Sequence, residues 1–275
     1  MGFKYSLARL TAIGCTPSEM IYVAGMTGYD YVSIRPMRLG LAGEPIYTPA
    51  EKPEIAERMK RALKYTGVKV YDIELARIND VIDIAVYEPA IITGAQLGAK
   101  CIISSIWTQN KSMYIEKFGQ LCDLAAKHGL SVALEFVPIA AVNTLAATKE
   151  VIDAAGRSNA TYMIDTFHYH CSKESPGALD DIPPEKFKMA HICDGPAGME
   201  NLTDREELTS IIRGGRLYVG EGGVDVAGII SKLPKDVVLS IELPHFERWA
   251  ELGFAEHARR CLSTAKEYFA KRGME

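Results

Sequence analysis

No stretch of the sequence approaches the ~20 consecutive apolar residues a membrane-crossing helix needs, although hydrophobic residues make up 48% of the chain. The apolar runs that do occur are strand-sized. The opening MGFKYSLARLT lacks the apolar core of a secretory leader, and Ser6 alone makes a thin myristoylation match. There is no CxxC pair among the six cysteines, Cys15, Cys101, Cys122, Cys171, Cys193 and Cys261. A Cys-based zinc site is therefore not expected, and a reduced, cytoplasmic chain is. No basic block stands out from 31 Lys+Arg against 35 Asp+Glu, so neither nucleic acid nor a membrane surface is an expected partner. Neither GxGxxG nor GxxxxGK occurs, which removes the phosphate-binding turn that an open doubly wound nucleotide fold would carry early.

What is present is alternation. Short β-branched runs alternate with longer helical patterns, eight times over 275 residues. The strands are read at Tyr5 to Leu10, Tyr31 to Arg35, Lys69 to Leu75, Cys101 to Ser105, Ser131 to Phe136, Thr161 to Asp165, Lys188 to Cys193 and Val237 to Glu242. Helices follow at Pro17 to Thr27, Lys52 to Tyr65, Tyr87 to Leu97, Met113 to His128 and Val142 to Ala155. The others lie near Leu179, over Val226 to Leu233 and from Trp249 to Lys271. Thr16 and Pro17 suit a helix start, and Gly28, Gly67, Gly98, Gly129 and Gly156 suit helix ends. A loop through Gly40 and Gly43 joins the second strand to its helix. Runs such as CIIS and VVLSI are apolar on both faces, as parallel strands covered by helices are. Eight such units without a Pro- or Ser-rich linker predict an α/β fold: one (β/α)₈ TIM barrel spanning residues 1–275, near the ~250 residues typical of that fold.

Barrel enzymes work at the C-terminal ends of their strands. Four consecutive strands carry a metal-capable side chain there: Glu135 in ALEF, Asp165 in MIDT, His191 in AHICD and Glu242 in SIELPH. Such groups among apolar neighbours are costly unless paired or metal-bound. Converging carboxylates repel one another unless a divalent cation neutralises them. Three oxygens and one imidazole nitrogen suit Mn²⁺ first, with Mg²⁺, Co²⁺ and Zn²⁺ as alternatives.

Several further residues are weighed against plainer roles. Arg35 can hold a substrate anion or pair with Glu74; Glu74 and Arg77 can line a pocket or form a rim ion pair. Trp107 is either an aromatic wall or rim packing. His168 and His170 fall on one side of an extended segment, with His168 the pocket residue. Asp194 either orients His191 or starts a turn. Arg216 and Glu221 sit in GGRLYVGEGG, which either closes over substrate or only shapes a turn. Tyr114 and Trp249 are assigned to core or interface.

The ordered set is more specific than its parts. It comprises Glu135, DxxH from Asp165 to His168, HxxD from His191 to Asp194, GEGGVD from Gly220 to Asp225, and Glu242. In this it resembles, over essentially the whole chain, the xylose isomerase-like TIM barrel superfamily of sugar and sugar-phosphate isomerases and epimerases, which also includes apurinic endonucleases. The resemblance implies that Glu135, Asp165, His191 and Glu242 bind the metal. Glu135 and Glu242 would double as the catalytic acid–base pair, with His168 contacting a substrate oxygen. It further implies a small sugar, keto-sugar or cyclitol substrate, proton abstraction through a metal-held enediolate, and a dimer or tetramer. A lyase outcome is the alternative, either an inosose or dehydroshikimate-type dehydratase or a 3-keto-glycoside deglycosidase. A non-catalytic sugar-binding barrel is the third reading. Two positions depart from the family's ketose 3-epimerases, which carry Glu and Arg where this chain has Ala141 and Ala197. No histidine precedes His128, so the extra zinc ligands of the nucleases are missing.

Overall fold

Eight parallel strands hydrogen-bond in sequence order and close, β8 back onto β1, into a (β/α)₈ barrel. The computed structural model describes residues 2–39 and 47–274; the glycine loop expected through Gly40 and Gly43 lies outside them. The strands are β1 Lys4–Leu7, β2 Tyr31–Ile34, β3 Lys69–Ile78, β4 Cys101–Ile106, β5 Ser131–Glu135, β6 Ala160–Asp165, β7 Phe187–Ile192 and β8 Val238–Ile241. The helices are α1 Pro17–Thr27, α2 Pro53–Thr66, α3 Glu88–Gln96, α4 Lys111–Ala126, α5 Leu145–Ala155, α6 Thr166–Cys171, α7 Arg205–Gly214, α8 Val226–Ile230 and α9 Phe246–Ala270. Among the described residues no helix is long and apolar enough to cross a membrane.

The period-2 alternation of the strands sorts their side chains into two cores. Ile102, Val132, Leu134, Ile164, Ala190 and Leu239 belong to the large core between strands and helices. Their neighbours Cys101, Ile103, Ala133, Met163, Met189 and Val238 form a separate small cluster, which is the barrel lumen. Carrying that parity two residues onward gives Ser105, Glu135, Asp165, His191 and Ser240, and one step more on β8 gives Glu242. The apolar lumen therefore hands over to ionisable side chains as each strand reaches its C-terminal end, and the strand pleat itself points them at the barrel axis.

The helix boundaries follow local chemistry. At α1 the Thr16 side chain accepts from the Glu19 amide while the Glu19 carboxylate accepts from the Thr16 amide, a reciprocal capping box. Gly28 closes the helix at φ 92°, a left-handed conformation that a β-carbon disfavours.

Four expectations need correction. β1 stops at Leu7, because Arg9–Ala12 winds into a 3-10 turn whose carbonyls at Ala12 and Ile13 accept from the Arg9 guanidinium. β3 runs on to Ile78 and pairs with β4 as far as Ile106. Near Leu179 there is only a 3-10 turn; the helix of that unit is α6, which begins directly after Asp165. α9 starts at Phe246, capped by the His245 side chain, rather than at Trp249.

Thr16→Ala removes half of the α1 capping box. It is expected to cost about 1 kcal/mol of stability, read as a lower midpoint in denaturant unfolding.

Candidate metal centre

Glu135, Asp165, His191 and Glu242 are all buried, and one ligand atom from each lies within 4.8 Å of the others. Strand register produces this meeting. Asp165 pairs with His191 across β6 and β7, and the Glu242 amide donates to the Ile192 carbonyl at 3.3 Å. His191 turns Nδ1 toward the group, at 3.1 Å from Glu135 Oε1, 3.5 Å from Glu242 Oε2 and 3.9 Å from Asp165 Oδ2.

Asp165 and Glu242 are held by other groups as well. Asp165 Oδ1 accepts from the Phe167 and His168 amides at 2.8 and 3.1 Å, capping α6. Asp165 Oδ2 meets Arg216 Nη1 at 2.6 Å, and the same nitrogen lies 3.1 Å from Glu242 Oε2. Arg216 is itself 1% exposed, so bulk water plays no part in this pairing.

The charges respond accordingly. Burial alone would raise the Asp165 carboxyl, but Arg216, with the neighbouring imidazoles, holds it well below the usual carboxylate range. Burial raises the Glu135 carboxyl against the opposing pull of His191. Burial would lower the His191 imidazole, but Glu242 and Glu135 outweigh it and raise it. The raised His191 imidazole and the Arg216 charge thus offset the crowded carboxylates. A divalent ion would do the same from the centre. The donors fit one: three carboxylates and a nitrogen aimed inward make an oxygen-rich set suited to a hard or borderline cation.

The tetrad forms the inner end of a cavity of about 350 Å³. Glu135 and Glu242 line it, together with His168 and Arg216, whereas Asp165 and His191 stand behind them. The outer wall comes from the earlier strands. Arg35 lies 3.5 Å from Glu74, Arg77 sits 4.2 Å over the Trp107 ring, and the Trp107 indole donates to Ser105 at 2.8 Å. Arg35, Glu74, Trp107, His168 and Arg216 all line the cavity, and Arg35 and Glu74 also make the ion pair weighed as their plainer role.

Burial lowers His168 to about 3, so its ring is neutral near neutral pH. Its Nε2 lies 3.4 Å from Arg216 Nη2. A guanidinium only donates, so Nε2 accepts and the proton resides on Nδ1.

Other expectations fail on geometry. Residues 166–171 are helical, not extended, so His168 and His170 diverge. His168 is buried at the site, and His170 pairs with Glu200 at 2.9 Å on the rim. Asp194 neither lines the cavity nor reaches His191 (its oxygens accept from the Gly195, Gly220 and Val224 amides at 2.8, 3.0 and 2.9 Å). It thereby ties down the glycine-rich loop, where a β-carbon on Gly222 would lie 2.0 Å from the Gly195 carbonyl oxygen. Glu221 is turned outward, 2.8 Å from Arg248, and is not a wall residue. Trp249, assigned to core or interface, lines the cavity with Phe246. Ser105 and Arg213 were missed as well. The aromatic pair three residues apart, right after the strand that bears Glu242, was the available signal.

The family's model, described as "Xylose isomerase-like TIM barrel", matches residues 22–264. The chain belongs to this family. It is 29% identical to an inosose isomerase of Bacillus velezensis over 167 residues, 57% of this chain and 53% of that protein. It thus spans about half the length of that curated relative. A shorter match, 26% over 113 residues, is to a 3-dehydroshikimate dehydratase of Pseudomonas aeruginosa, covering 41% of this chain and 17% of that protein. Among solved structures, the IOLI protein with a bound zinc atom superimposes with a TM-score of 0.78 at 20% identity, covering 98% of both chains; this likeness is one of fold. The guanidinium that the ketose 3-epimerases carry at the position of Ala197 is absent there; Ala197 instead packs under Gly223, and Arg216 brings a guanidinium to the tetrad from a different loop.

Cation uptake must displace the His191 proton, since a ligating imidazole is neutral. Apparent Mn²⁺ affinity is therefore expected to fall as pH drops from about 8 to about 6, with proton release visible in calorimetry in buffers of different ionisation enthalpy.

Proposed function

We propose that the chain is a divalent-cation-dependent isomerase or epimerase of a small polyhydroxy ketone, a sugar or cyclitol of the inosose kind. The observation that carries this reading is the double position of Glu135 and Glu242. Both belong to the tetrad, and both face the cavity in which a substrate would lie. The match to an inosose isomerase supports the cyclitol class. The oxygen-rich donor set supports Mn²⁺ ahead of Mg²⁺, Co²⁺ or Zn²⁺.

A bound cation would supply Lewis acidity, lowering the cost of negative charge on a substrate oxygen as the adjacent carbon is deprotonated. The remaining work belongs to side chains. One of Glu135 and Glu242 takes the carbon-bound proton next to the carbonyl. The other returns a proton to the opposite face or to the neighbouring carbon, which epimerises or isomerises the substrate without change of mass. The raised Glu135 carboxyl suits a group that must both take and give a proton near neutral pH. His168, which lines the cavity beside Arg216, contacts a substrate oxygen. Arg35, Glu74 and Trp107 form the wall that fixes the far side of the ring. Arg216 keeps Asp165 ionised and holds Glu242 in place.

A lyase is the second reading, favoured by the 3-dehydroshikimate dehydratase match. It begins with the same proton transfer and then expels a β-substituent. Product mass separates the two: unchanged for an isomerase, reduced by water or an aglycone for a lyase.

Glu242→Gln keeps the shape and removes the base. It is expected to reduce carbon-bound hydrogen exchange with solvent deuterium by about 10²–10⁴-fold; near-wild-type exchange contradicts the assignment. Elemental analysis of the wild-type protein is expected to return about one divalent ion per chain, as a single four-ligand site requires.

A further inference from the structure

Beneath the tetrad the lumen is not wholly apolar. Ser6, Asp72 and Ser240 are 0% exposed and His191 is 1%. Ser6 Oγ, Asp72 Oδ1, Ser240 Oγ and His191 Nε2 each lack a protein hydrogen-bond partner. Strand register places them in two groups, with Ser6 opposite Tyr31 on β2, two residues before Ser33. His191 on β7 is in register with Ser240 on β8, Ser240 with Ser6 on β1, and Ser33 on β2 with Asp72 on β3. Ser33 Oγ donates to Asp72 Oδ2, which leaves Oδ1 as an acceptor without a partner among the described residues.

The imidazole needs this belt. With Nδ1 turned to the three carboxylates, a ligating His191 carries its proton on Nε2. A metal-bound histidine keeps its ring angle by giving that second N–H to a carboxylate or to water. Buried polar atoms in this number are normally satisfied, and an enclosed water needs two to four polar partners. The belt offers two hydroxyls that donate and accept, one carboxylate oxygen that accepts and one N–H that donates.

We infer that Asp72 is a positioning residue for the cation site: through enclosed water shared with Ser240 and Ser6, it receives the hydrogen bond of His191 Nε2–H and so fixes the ring with Nδ1 toward Glu135, Asp165 and Glu242. The inference rests on the reading of the tetrad as a cation site. It gives a function to a buried acid that touches neither cavity nor solvent.

The test is a Co²⁺ titration of the full chain followed by visible absorption, which reports both affinity and ligand geometry. Wild type is compared with Asp72→Asn and Ser240→Ala. The expected result is cation binding weakened about 10–100-fold in both variants, with a displaced Co²⁺ band. Melting of the cation-free variants near the wild-type temperature would show that the loss is not one of folding. If Asp72→Asn does not fold, Ser240→Ala, which removes a single oxygen, decides alone. Folded variants with wild-type affinity and an unshifted band overturn the inference while leaving the cation site intact. A wild-type chain that binds no Co²⁺ overturns the cation site and this inference with it.

Discussion

Three carboxylates and an imidazole, all buried, converge within 4.8 Å at the mouth of the barrel. Like charges so placed in a low-dielectric surrounding cannot all persist unless positive charge sits among them. Much of the surrounding structure answers that constraint. Arg216 is drawn completely into the protein to lie against Asp165 and Glu242. The first amides of α6 point at Asp165. The protonated imidazole of His191 faces Glu135. These groups compensate the carboxylates only from one side. The four donor atoms lie close enough together to hold a divalent cation, which would complete the neutralisation.

The barrel makes this concentration of charge tolerable by position. Strand pleating sends every second residue to the lumen, where a small apolar cluster fills the middle. The same parity, continued toward the strand ends, delivers the acids to the open face. Strands β5 to β8 carry the ligands, and β2 to β4 carry the opposing wall of Arg35, Glu74, Arg77 and Trp107. The cavity is thus divided between a half lined by Glu135, Glu242, His168 and Arg216 and a half lined by Arg35, Glu74, Arg77 and Trp107. Asp194, by gathering three loop amides, stiffens the turn that follows Arg216 and so holds the guanidinium in the first half.

Sequence patterns captured the repeated strand–helix unit, the strand ends and the four ligands, because each depends on a period or a position within one short segment. The wall residues Arg35, Glu74 and Trp107 were legible for the same reason: each ends or follows a strand. The errors share a different cause. His168 and His170 were put on one side of an extended segment, with only His168 in the pocket, because the Asp165 cap that bends the chain into α6 was not recognised. For Asp194 and Glu221 a pocket role and a turn role were both open, and the turn role holds: their partners are backbone amides and Arg248. Trp249 was taken for core, since only the docking of the start of α9 over the mouth exposes it to the cavity.

By itself, then, the sequence determined that there would be a barrel and which acids would ring its open end. Alternation and strand order are properties of the chain that survive without knowledge of any contact. Only the tertiary structure decided which of those groups face the cavity and which stand behind them. It also decided that the tetrad's guanidinium comes from Arg216 rather than from position 197, and that the floor below His191 is polar. Those outcomes depend on register between strands and on loops folding back from distant positions, and no local pattern encodes them.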